Sequence, residues 1–103
     1  MYRIPLKSKE LTYIKDNEGK PLMLEWAATL KDICQFTKDG FGPAEMRTAI
    51  KILDKLEIHE NELNLTTEEY NFLKSRLDLG FKFRIVDKTI LEFVEDIENA
   101  KDE

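Results

Sequence analysis

Three short amphipathic segments, each opened by its own start signal, lie within residues 43 to 97, and they constrain the fold more than any other feature of the chain. Pro43 stands where a helix tolerates proline best, at the first position, because the N–H it lacks would have no partner there. After it, Met46, Ala49, Ile50, Leu53 and Leu56 draw one apolar stripe, with Arg47, Lys51, Asp54 and Lys55 on the wet side. Thr66 and Glu69 have the spacing of a capping box, in which hydroxyl and carboxylate each take a backbone N–H of the other's residue. Tyr70, Leu73 and Leu77 then carry the apolar face, and Gly80 ends the segment. Asp87 caps the third helix, where a carboxylate also suits the positive end of the helix dipole. Ile90, Phe93, Val94 and Ile97 point inward from it.

Upstream, Glu25 to Thr37 has helical spacing. Trp26, Leu30, Ile33 and Cys34 share one face, with Ala27 and Phe36 near it. The helix is predicted to stop between Lys38 and Gly42, where two glycines permit a reversal. Tyr2, Ile4 and Leu6 alternate with the strand period, and Pro5 confines such a strand to an edge. Leu11 to Ile14 and Pro21 to Leu24 flank the polar stretch Lys15 to Lys20, which predicts a hairpin. The rival reading makes Ser8 an N-cap and residues 9 to 15 a short helix. Leu63-Asn64-Leu65 alternates and could pair as a short strand. Phe81, Phe83 and Ile85 alternate as well. The expected fold is mainly α within the α+β class, with about four short helices and a small N-terminal β-hairpin. The chain reads as a single domain, 1–103: hairpin in 1–24, helical core in 25–100, frayed tail in 101–103.

Composition excludes several functions. One cysteine, Cys34, cannot close an internal disulfide, and Met1 to Pro5 lacks the apolar run of a secretory leader. No apolar stretch reaches the roughly 20 residues of a membrane span. A reducing cytosol is the expected setting. Residues 1–60 carry ten basic and ten acidic groups, whereas residues 61–103 carry six and eleven, so the net charge of −5 falls in the second half. A phosphate-binding surface needs the opposite sign. A helix-turn-helix reader fits poorly too, because the best reading helix would begin Thr67-Glu68-Glu69.

The groups that could do chemistry read better as structure. His59 has Glu57, Glu60 and Glu62 around it, but no other histidine or cysteine at metal-ligand spacing, and it reads as a solvated loop residue. Cys34 sits at an apolar helical position and reads as a small buried hydrophobe. Asp16-Asn17-Glu18-Gly19 lacks the ligand pattern of a calcium loop and reads as a turn. Neither Glu68 with Glu69 nor Glu95 with Asp96 makes an acid–base pair, because adjacent helix residues do not face each other. No phosphate loop, dinucleotide fingerprint or nucleophile triad is present in the sequence. An enzyme is not expected, and no cofactor or metal.

Two sets of residues remain as partner-binding candidates. Phe36, Phe41, Phe81 and Phe83 stand at or near segment ends, and aromatic side chains are enriched at interface hot spots. The competing role is closure of the core. Glu92, Glu95 and Asp96, continued by Asn99, Asp102 and Glu103, give the last helix an acidic face that could imitate a phosphate track. The competing role is a solubilising face.

Met46 to Leu56, then Leu63 to Tyr70, then Ile90 to Ile97, preceded by a Gly19-Lys20-Pro21-Leu22 turn, resembles small helical proteins encoded by tailed phages and prophages. The likeness covers most of the chain and rests on core-pattern motifs. It implies a phage or mobile-element origin and a partner-binding role more than an enzymatic one. The expected partner is a protein or a second copy of the chain, with no direct nucleic-acid binding, no membrane and no small-molecule substrate. The expected form is a virion or assembly component, in the bacterial cytoplasm or the virion. The alternative is an inhibitor of a host nucleic-acid-handling protein, acting through the acidic last helix.

Overall fold

The core is closed by two strands far apart in sequence. In the computed structural model, which describes residues 1–36, 40–58, 61–80 and 82–102, β1 (Tyr2–Pro5) pairs antiparallel with β4 (Glu62–Leu65). Ile4 opposes Leu63 and Tyr2 opposes Leu65. The alternation puts Ile4, Leu63 and Leu65 inside and leaves Arg3 and Asn64 outside. Asp102 makes an antiparallel bridge to Tyr2, so the C-terminal segment lies beside β1. The Tyr2 ring stacks on Tyr70 at 3.9 Å, and the Tyr70 hydroxyl donates to the Ile97 carbonyl at 2.7 Å. Burial, together with Tyr2 and Glu98 nearby, pushes the Tyr70 hydroxyl pKa up.

The expected hairpin forms from β2 (Ser8–Lys15) and β3 (Pro21–Glu25); the rival helix over 9 to 15 does not. Asp16 shapes its turn by accepting the N–H groups of Glu18 (2.8 Å) and Lys20 (3.0 Å), while Gly19 supplies a φ of +81°. The register then slips. Glu10 opposes Met23 but Lys15 opposes Pro21, so β2 carries extra residues that bulge out of the ladder. The bulge turns two N–H groups toward α4 (Lys88–Glu98). Asp87 accepts both, from Thr12 at 3.0 Å and Tyr13 at 2.8 Å, and caps α4 through the Thr89 N–H at 2.9 Å. The Thr89 hydroxyl donates to the Glu10 carbonyl at 2.7 Å.

The helix α1 (Trp26–Gln35) starts directly on β3 and stops two residues short of the predicted Thr37, because Phe36 turns extended. Trp26 is fully buried, edge-on to Phe93 at 5.5 Å, and its indole N–H donates to Asp96 at 3.0 Å. Leu30, Ile33 and Cys34 complete its inner face as expected. For α2 (Pro43–Glu57) the predicted stripe is rotated. The buried face is Thr48, Ala49, Ile52 and Leu56, and Met46 and Ile50 face outward. Thr48 can turn inward because its hydroxyl finds the Ala44 carbonyl and Glu68, both at 3.3 Å.

The capping box of α3 (Thr67–Ser75) forms as read: Glu69 N–H donates to Thr66 Oγ1 at 3.2 Å, and Thr66 N–H to Glu69 Oε1 at 2.9 Å. The buried Glu69 also takes the Lys55 ammonium at 2.6 Å. Burial alone would raise its pKa, but Lys55 and the Thr66 N–H outweigh that and hold it below the ordinary glutamate value. A π-helical turn, Arg76–Gly80, continues α3. Residues 82 to 86 form no strand; Phe83 packs edge-on against Phe93 at 6.3 Å, while Ile85 and Val86 are exposed. Among the described residues the result is four α-helices and two small antiparallel sheets around one core, with no helix long and apolar enough to cross a membrane.

The pKa of Asp87 is set the same way. Burial raises it, and the N–H groups of Thr12, Tyr13 and Thr89 outweigh that and hold it below the usual aspartate value. A lowered folded pKa gives stability that is present above the unfolded pKa of about 3.9 and is lost as pH falls through the folded value. Asp87→Asn is therefore expected to lower Tm by several degrees at pH 7 and to flatten the acid limb below about pH 4. Thermal melts across pH check both; an unchanged acid limb would contradict the role of Asp87.

Candidate partner-binding surface

The end of α1 and the first half of α2 leave an apolar groove of about 360 Å³ between them. Its floor is Cys34 and Ala49, both buried, with Leu53 half-buried beside them. Its rim is Phe36, Met46 and Ile50, exposed by 63%, 51% and 49%. The geometry follows from two local events. Phe36 leaves the helix in extended backbone and so projects its ring outward, and the inward turn of Thr48 rolls Met46 and Ile50 toward water.

Phe41 forms the remaining wall and is held from behind. The Arg76 guanidinium lies 4.7 Å from the Phe41 ring centre and 5.4 Å from that of Phe72, and it pairs with Glu45. Glu45 also accepts the Gly42 N–H at 3.2 Å, which fixes the start of α2. Arg76, Glu45 and Phe72 thus hold the Phe41 wall in place without lining the groove themselves.

Burial pushes the Cys34 thiol up to about 12, so it stays protonated and unreactive at neutral pH. A second hollow, about 630 Å³, runs along β4 and is lined by Lys55, Ile58, Asn61 and Glu62 among others. Lys55 there is already engaged by Glu69 and the Asn64 carbonyl. Among the described residues no group of three histidine, cysteine, aspartate or glutamate side chains could hold a metal ion.

The residues singled out in the sequence do not gather in one place. Phe36 and Phe41 belong to the groove. Phe83 packs on the core through Phe93. Phe81, His59 and Glu103 lie outside the described residues. On α4, Glu92 pairs with Lys9 at 2.7 Å, and Asp96 takes Lys7 at 2.9 Å as well as Trp26. Glu95 is exposed and forms no ion pair among the described residues. The acidic face of α4 is thus partly matched by the chain's own lysines. Sequence reasoning missed the outward turn of Met46 and Ile50. The available signal was Thr48, a polar residue able to bond back to the preceding helical turn from the buried face.

The buried Cys34 gives a direct check on the groove floor. Iodoacetamide at about pH 8 is expected to leave the native thiol unmodified over hours and to label it quickly in denaturant, read by intact mass. Rapid labelling of the native protein would show an open floor. Comparison with protein-family models, curated proteins and solved structures finds no match to this chain.

Proposed function

We propose that the chain is a non-enzymatic protein–protein interaction module that takes an apolar segment of a protein partner into the α1–α2 groove. The observation that carries this reading is the exposed set of Phe36, Met46 and Ile50 around a buried floor. Aromatic and methionine side chains are enriched at interfaces, and methionine adapts its shape to what it meets. Apolar anchors laid into a groove are a recurrent mode of peptide recognition. In keeping with the likeness to small phage proteins, the partner would be a virion or assembly component.

An inhibitor acting through the acidic face of α4 is the weaker reading, because Glu92 and Asp96 are bound by Lys9 and Lys7 of the same chain. Glu95 is the clean probe of that face, since changing it breaks no internal ion pair among the described residues.

Phe36→Ser combined with Ile50→Lys is expected to weaken binding of a partner captured from the phage-carrying host and then purified. The expected loss is tenfold or more, equivalent to about 1.4 kcal/mol, with an unchanged circular dichroism spectrum. Glu95→Lys is expected to leave binding within twofold. The reverse pattern, with steep salt dependence, would contradict the groove and favour the acidic face.

A further inference from the structure

The two edges of the hairpin are unlike. The β2 edge is closed by Asp87, which takes the N–H groups of Thr12 and Tyr13, and by the Thr89 hydroxyl on the Glu10 carbonyl. Among the described residues nothing pairs with the β3 edge. Pro21, Leu22, Met23 and Glu25 are exposed, Met23 by 54%.

The register says which backbone groups that edge presents. The Trp26 N–H donates to the Lys7 carbonyl at 2.9 Å, which marks Lys7 and Trp26 as a hydrogen-bonded pair. Bonded and non-bonded pairs alternate along an antiparallel ladder, so Leu24 faces β2 while Met23 and Glu25 turn away from it. Beyond the bulge, the Asp16 N–H donates to the Lys20 carbonyl at 2.8 Å, which turns the Pro21 carbonyl away too. The outward groups are therefore both of Met23, both of Glu25 and the carbonyl of Pro21. Of these, the Glu25 carbonyl already accepts the Thr29 hydroxyl at 2.9 Å.

We propose that β3 pairs antiparallel with β3 of a second copy of this chain about a two-fold axis at Met23, joining two hairpins into a four-stranded sheet. In that register Met23 faces Met23 of the second copy, and the two exchange both hydrogen bonds. Pro21 faces Glu25, whose N–H reaches the Pro21 carbonyl. The proline, which has no N–H, stands opposite the one carbonyl that Thr29 already occupies. Every outward donor then has an acceptor, and the one carbonyl that faces a missing N–H is the one the Thr29 hydroxyl satisfies. Leu22 faces Leu24 on one side of the new sheet, and the two Met23 side chains meet on the other. A foreign strand would need a residue without an N–H opposite Glu25, and opposite Pro21 a donor whose own carbonyl is already satisfied, to match as well, which argues for a second copy of the chain. The contact is isologous, as two-fold dimers are, and small enough to depend on concentration.

Charge at Met23 tests this directly, because the two side chains would face each other across the axis. Sedimentation equilibrium from about 10 µM to about 1 mM is expected to show wild-type mass rising from 12.1 kDa toward twice that value. Met23→Lys alone and Met23→Glu alone should stay at monomer mass, and an equimolar mixture of the two should recover the dimer. Phe36→Ser with Ile50→Lys should dimerise like wild type, which separates this edge from the groove. A wild-type protein that remains monomeric overturns the proposal. So does a dimer that both Met23 variants leave intact, and so does a mixture that stays monomeric.

Discussion

The structure depends on one carboxylate, that of Asp87. Withdrawn from water it would be costly, and each N–H it accepts would be costly if left alone. Together they resolve both problems. Thr89 is two residues away, but Thr12 and Tyr13 lie 75 and 74 positions upstream, so the helix cap is also the joint between the N-terminal hairpin and the last helix. A two-stranded hairpin has little stability by itself. This one is tied at its bulge, where an irregular ladder would otherwise leave N–H groups without partners.

That joint decides which surfaces remain for other molecules. It draws β2 against α4, and Lys7 and Lys9 then meet Asp96 and Glu92. Asp96 is held from a second side by the Trp26 indole, deep in the core. Much of the acid on α4 is therefore structural. Among the apolar side chains that the fold leaves outward are the Phe36, Met46 and Ile50 rim at one place and the Met23 edge at another. The Arg76 guanidinium against Phe41 and Phe72 keeps the groove wall in position, so that surface is shaped before anything binds.

Local signals were legible in the sequence and long-range ones were not. Thr66 with Glu69, Pro43 at the start of α2 and Asp87 at the start of α4 act within one helical turn, and each stands where it was read. The hairpin turn was legible because Asp16 and Gly19 do their work within five residues. The pairing of β1 with β4 joins residues some sixty positions apart, and nothing in either strand names its partner. The bulge in β2 was hidden for the same reason, since its N–H groups are satisfied by a residue in the other half of the chain. In the groove, Phe36 stands out in the sequence as a candidate but cannot be told apart there from Phe83, because exposure depends on how the end of α1 meets α2. The α2 stripe misled because Met46 and Ile50 are as apolar as core residues, while Thr48, which is buried, is not.

The central claim is that the hairpin has one edge sealed by Asp87 and one left open. Amide hydrogen exchange read residue by residue by NMR, at a concentration low enough for monomer, tests it most directly. The Thr12 and Tyr13 amides, though outside the ladder, are expected to exchange as slowly as the core helices, while the Met23 amide exchanges nearly as fast as an exposed chain. Fast exchange at Thr12 and Tyr13, or slow exchange at Met23 in the monomer, would contradict it.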